Sequence, residues 1–280
     1  MAPGGLHSVL FYVLCLAVHS HCGVLQTYRR ANATKVYVSG ENNHVTISME
    51  GESRVVKKLQ SDMKRLQNKL QALEDIVNPA FDLKFPRKST SDYVIIREIP
   101  TMQAATVCLW INTADKTNEG TPFSYATTSR DNEFIIIDYR DVVIWIAQNT
   151  TRTGIAVNDG QWHHLCVTWE NTAGSWRLYK DGRVAKSGTG LSQGEQIDGG
   201  GAVVLGNEQD MLGGGFHQTQ SFIGEMSRVN MWRRELSSSE IARMSADCTE
   251  GAGDVFDWRD VIRGARGLVE AKRPSTCHAV

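Results

Sequence analysis

The stretch Gly206–Gln220, GNEQDMLGGGFHQTQ, gathers two acids, Glu208 and Asp210, with several side-chain amides, three consecutive glycines and His217. Glycine removes side chains and lets a backbone bend closely around something. The acids and amides are all oxygen donors, and calcium takes about 6–8 such ligands. Two neighbouring carboxyl groups could also divide acid and base roles in catalysis. A solvated acidic turn is the third reading, and the stretch alone leaves all three open. His217 is its only nitrogen ligand.

A loop of this kind needs a rigid frame. After Pro79 strand-like runs recur: TVCLWI, EFIIIDY, VVIWIA, TGIAV, HLCVTW, WRLYK, AVVLG and RVNMW. Gly, Asn and Asp turns separate them, and Lys180-Asp181-Gly182 is a hairpin signal. In HLCVTW, alternation sends His164, Cys166 and Thr168 to one face and Leu165, Val167 and Trp169 to the other. One short helix is predicted after Ser237, which forms a capping box with Glu240. Many short strands with little helix predict an all-β sandwich of jelly-roll type over residues 79–280.

Before it, Val56, Leu59, Met63, Leu66, Leu70, Leu73 and Val77 step by 3, 4, 3, 4, 3 and 4. That is a heptad seam, narrow enough to suit a second copy, and it predicts a short coiled-coil helix over 51–78. An ordinary amphipathic helix packed on its own domain is the alternative. Asn78-Pro79 ends it. Residues 24–50 read as a linker segment. Val9–Val18 is an apolar run of ten residues, short of the roughly 20 that span a bilayer. Its length and the small residues after it fit a signal peptide over 1–23, with a short membrane anchor as the other reading. No other run reaches membrane length, so a secreted, extracellular chain without a transmembrane segment is expected.

The 280 residues carry a net charge of −1 with no basic stripe, which argues against nucleic acid as a partner. Of six cysteines, Cys15 lies in the leader, and Cys22 is kept or lost with the cleavage point. Cys108, Cys166, Cys248 and Cys277 are an even set suited to two disulfides in an oxidising compartment, although spacing does not fix their pairing. Asn32 and Asn149 head N-glycosylation sequons.

His164-Leu-Cys166-Val-Thr168-Trp169 resembles the pentraxin family signature His-x-Cys-x-Ser/Thr-Trp-x-Ser/Thr, departing from it at Asn171. FSYATTSRDNE (123–133), GNEQDMLGGGF (206–216), GEMSRVNMW (224–232) and LSSSEI (236–241) resemble further pentraxin blocks in the same order. DGQWHHLCVTW, the late cysteines and the preceding helix are closest to the neuronal and long pentraxins. The resemblance implies a lectin-like jelly roll with bridges Cys108–Cys166 and Cys248–Cys277. It also implies a cyclic homo-oligomer, commonly a pentamer, that binds a glycan, phospholipid or protein ligand at a calcium face.

Carried over residue by residue, the pattern assigns one calcium ion to Asp131, Asn132, Glu208, Asp210 and the Gln209 carbonyl. A second ion would share Glu208 and Asp210 and add Gln220 and an acid at position 217, where this chain has His217. An imidazole suits hard Ca²⁺ poorly. The first site is therefore expected intact and the second weak or absent, giving one or two ions per chain. Ile137 falls where phosphocholine binders place an aromatic ring, so phosphocholine is not the expected ligand. The expected role is innate recognition or cell-surface and synaptic clustering, with no catalysis. A laminin-G-like adhesion module without a calcium site is the alternative. Glu208-Gln-Asp210 also resembles the start of the Glu-x-Asp-x-x-Glu motif of jelly-roll glycoside hydrolases, but its third acid would fall at Gly213. His163, His164 and Cys166 are zinc-ligand types, yet neighbouring histidines on a strand face opposite ways.

Overall fold

The structure, a computed structural model, describes residues 35–41, 44–50, 54–77 and 81–277. The expected signal peptide, Cys15, Cys22 and the Asn32 sequon lie outside these residues. The chain divides into two compact units, 1–72 and 73–280.

In the first unit, strands β1 (Lys35–Glu41) and β2 (His44–Glu50) form an antiparallel hairpin inside the segment expected to be a linker. Helix α1 (Arg54–Val77) follows and carries the heptad residues. Leu59, Leu66 and Leu70 of the seam are more than half exposed.

The second unit is a jelly-roll sandwich of two antiparallel sheets. Its first strands are β3 (Asp82–Phe85), β4 (Tyr93–Arg97), β5 (Ala104–Asn112) and β6 (Phe123–Ala126). Next come β7 (Phe134–Ile137), β8 (Val143–Ile146), β9 (Asn149–Arg152), β10 (Trp162–Glu170) and β11 (Ser175–Lys180). The remaining strands are β12 (Arg183–Gly188), β13 (Ala202–Leu205), β14 (Gly224–Trp232), β15 (Ala265–Arg266) and β16 (Glu270–Lys272). One sheet runs β12-β11-β10-β5-β14-β3-β16 and the other β15-β4-β13-β6-β7-β8-β9.

The inner faces meet in a single apolar core. Leu109 and Ile111 of β5 and Leu165, Val167 and Trp169 of β10 are buried in it, as are Phe134 and Ile136 of β7 and Ile144 and Ile146 of β8. The Phe123 and Phe134 rings pack edge to face, 5.5 Å apart, a favoured aromatic geometry. β10 shows the predicted alternation: Leu165, Val167 and Trp169 enter the core, while Cys166 and His164 pack on the outer side with Tyr179 and Trp110. Lys180 and Arg183 flank the predicted turn, where Asp181 and Gly182 take φ of 51° and 76°, as a tight hairpin requires.

Helix α2 (Ser238–Ala246) starts at Ser237 with both capping-box hydrogen bonds to Glu240 in place. Two local features differ from expectation. TGIAV (153–157) is a loop: Gly154 sits at φ 76°, and Thr153 Oγ1 bonds the Val142 carbonyl at 2.7 Å. A second, four-residue helix, α3 (Trp258–Val261), is capped by the Asp257 side chain, which accepts the Arg259 N–H. Cys108 and Cys166 sit directly opposite each other on β5 and β10 and are bridged; Cys248 and Cys277 are also bridged.

Candidate functional site

Glu208, Gln209 and Asp210 leave the end of β13, and Asp131 and Asn132 lead into β7, two strands along the same sheet. The loop after β13 is shaped by glycine. Met211 and Gly214 exchange backbone hydrogen bonds of 3.3 and 2.9 Å, closing a tight turn. Gly213 within it and Gly215 just after it take φ 71° and 75°, and a Cβ on Gly215 would lie 2.9 Å from that of Asp210. The fully buried Gln209 amide pins the loop. It donates to the carbonyls of Ser124 and Ala202 at 2.9 and 3.0 Å and accepts the Gly213 N–H at 2.8 Å. Its side chain is thus spent on structure, which leaves only its backbone carbonyl as a ligand. A single 3₁₀ turn over 218–220 returns Gln220 to Glu208.

The acids face a cleft of about 420 Å³ lined by Glu119, Asn132, Asp138, Glu208, Asp210 and Gln220, with an apolar wall alongside. Glu208 is 5% exposed, and its Oε2 has no hydrogen-bond partner. Burial first, then the charges of Asp210, Asp131 and Glu119, push its carboxyl up to about 7; a hydrogen bond from Gln220 opposes them. A buried carboxylate among like charges is costly. A cation bound between them would offset both the burial and the repulsion, and a set of carboxylate, amide and carbonyl oxygens is what calcium takes. The structure brings Asn132, Glu208 and Asp210 to one cleft, with Asp131 close enough for its charge to act on Glu208.

Asp131 is half-buried and accepts from Gln148 Nε2 at 2.8 Å and Asn132 Nδ2 at 3.1 Å. His217 stands outside the buried part of the cluster, with Nε2 3.1 Å from Asp210 Oδ2 and both side chains about half exposed or more.

Two site residues escaped sequence reasoning. Glu119 lies in the loop between β5 and β6. Trp145 on β8 pairs with Ile135 and, with Ile135, Ile137 and Val143, forms the apolar wall. The wall therefore offers an indole ring where Ile137 alone provides none.

The other candidate clusters separate. His163 bonds Asp181 Oδ2 at 2.9 Å and Asp159 at 3.1 Å, whereas His164 turns the other way, against the Trp110 ring. Cys108, His164 and Cys166 offer donor atoms within 4.8 Å of one another, but the two sulfurs are bonded together and cannot act as thiolate ligands. The third acid position of the hydrolase-like motif is Gly213, where a Cβ would meet Ile95 and Arg97. Asn149 is exposed at the start of β9, and its amide donates to Ser192 Oγ at 3.1 Å.

The sandwich and this oxygen-lined cleft define a jelly-roll binding domain. Residues 81–273 match the Pentaxin family, and the chain belongs to that family. It is 40% identical over 200 residues to the rat sushi, von Willebrand factor type A, EGF and pentraxin domain-containing protein 1, covering 70% of this chain and 6% of that one. It is 38% identical over 184 residues to human neuronal pentraxin-1, covering 64% and 43%. The chain thus spans less than half the length of these curated relatives. Among solved structures, a heptameric SAP-like pentraxin from Limulus polyphemus superposes with a TM-score of 0.61 at 26% identity, over 71% of this chain and 98% of that one.

Proposed function

We propose that this domain is a calcium-dependent, lectin-like recognition module that binds ligands and does no chemistry. The observation that carries it is Glu208: a buried carboxylate with an unpartnered oxygen, surrounded by Asp210, Asp131 and Glu119 at the mouth of a cleft. Asp131, Asn132, Glu208, Asp210 and the Gln209 carbonyl would hold the ion. When bound, the ion supplies a Lewis-acidic centre for ligand oxygens. The chain's own part is to orient the ligand: the wall of Ile135, Ile137, Val143 and Trp145 receives an apolar face beside it. A glycan, a phospholipid headgroup or an acidic protein segment has this chemistry.

Two disulfides support an oxidising, extracellular setting. The exposed leucines of α1 support assembly through a coiled coil, and the heptameric relative supports a closed ring. Such an assembly multiplies weak single-site contacts into avidity. Relatives named neuronal pentraxins support a cell-surface or synaptic role beside innate recognition.

Titration calorimetry with CaCl₂ on wild type and Asp210→Ala tests this. Wild type is expected to bind calcium reversibly to EDTA, with at least a tenfold loss in the variant. Wild type that binds no calcium would overturn the reading in favour of a laminin-G-like adhesion module.

A further inference from the structure

We propose that Glu119 takes the place of the acid missing at position 217 and completes a second cation position with Glu208, Asp210 and Gln220. The inference rests on the calcium reading above and goes beyond it, because it restores a site that His217 alone would remove.

The four side chains line one cleft although Glu119 comes from a different loop. That loop is fastened to the 3₁₀ turn that carries Gln220. The Glu119 N–H donates to the Thr219 carbonyl at 3.1 Å, and Asn118, 1% exposed, donates through Nδ2 to the Ser221 carbonyl at 3.1 Å. On its other side the loop is fastened to the connection after β7. The Tyr139 N–H donates to the Glu119 carbonyl at 3.1 Å and the Asp138 N–H to the Gly120 carbonyl at 3.0 Å. Gly120 takes φ 64°, and a Cβ there would run into the Tyr139 ring, so the chain path is fixed beside Glu119. The carboxylate is thus set at the cleft by backbone held on both sides, while the side chain itself remains exposed and free to close on an ion.

The independent sign of a ligand is Glu208, whose Oε2 is buried and unpartnered within this same cleft. Charge balance points the same way. Asp131, Glu208, Asp210 and Glu119 carry a formal charge of −4 when ionised. One calcium ion offsets only half of that; Asp138, which also lines the cleft, is already paired with Arg140 and Arg152. His217 contributes no hard ligand and holds Asp210 Oδ2 from outside at 3.1 Å.

The test is calcium calorimetry on the full chain, comparing wild type with Glu119→Gln, Glu119→Asp and His217→Ala. Wild type is expected to bind two ions per chain. Glu119→Gln should bind one, with the affinity of the remaining ion changed less than threefold. Glu119→Asp, which keeps the charge but shortens the reach, should keep two ions and weaken the second. His217→Ala should keep two. Circular dichroism melting in EDTA verifies that the Glu119 variants fold like wild type, as an exposed position predicts. Wild type that binds a single ion, or Glu119→Gln that still binds two, overturns this inference and leaves the calcium reading standing. Wild type that binds none overturns both.

Discussion

Cys108, His164 and Cys166 on one sheet, and Glu208 with Asp210 at the end of the other, are both dense in ligand-type atoms. Each also contains a buried atom without a hydrogen-bond partner, His164 Nδ1 in the first and Glu208 Oε2 in the second. Their fates differ because of how the remaining atoms are used. In the first cluster the sulfurs are bonded to each other, burial disfavours the charged imidazole, and the Trp110 ring packs against it. In the second, several carboxylates face a cleft of about 420 Å³. Donor types side by side therefore do not make a site; unspent charge with an opening beside it does.

The strongest way to break this contrast is to remove the staple. Replacing Cys108 and Cys166 together by alanine frees a loop of sequence separation 58. It should cost about 4 kcal/mol of stability by urea unfolding. Calcium stoichiometry, measured on the folded protein, should not change. If zinc restored the stability of reduced wild type, the first cluster would be a metal site after all.

The second test concerns pH. Burial holds the His164 imidazole down to about 4, with Asp181 pulling weakly the other way. The unfolded chain, with an ordinary value of about 6.5, takes up the proton first as pH falls. The stability contribution of neutral His164 is thus complete above about pH 6.5 and is lost between there and about pH 4, by at most ~3 kcal/mol. Urea midpoints measured across this range in EDTA should fall in wild type, and the fall should be shallower in His164→Gln. Equal slopes in the two proteins would show that this histidine is not held neutral.

Much of the frame behind both clusters could be read in advance, since its signals are local. The alternation of β10, the Asp181-Gly182 turn and the Ser237–Glu240 box each fit within a few residues. Glu208 and Asp210 were legible because they are neighbours in a loop with glycines at positive φ. Glu119 was not, since what places it is a backbone bond to Thr219, a hundred residues along the chain. Trp145 lies in the legible run VVIWIA, but that it forms the cleft wall depends on its register with Ile135. TGIAV resembles a strand in its β-branched residues, whereas in the fold Gly154 at φ 76° turns the chain out of strand geometry.

The smallest expected effect is the most discriminating, because it changes sign with calcium. Glu208→Gln keeps the shape of the side chain and a partner in Gln220 while removing a charge that burial and three neighbouring acids oppose. In EDTA the variant should be more stable than wild type by about 1 kcal/mol, as expected where a functional group is held at a cost to the fold. With calcium at a hundred times its dissociation constant, wild type gains about 2.7 kcal/mol of linkage stabilisation that the variant lacks. The order of the two melting temperatures should therefore invert between EDTA and calcium. A variant less stable than wild type in both buffers would make Glu208 a structural residue like His164, and the distinction between the two clusters would collapse.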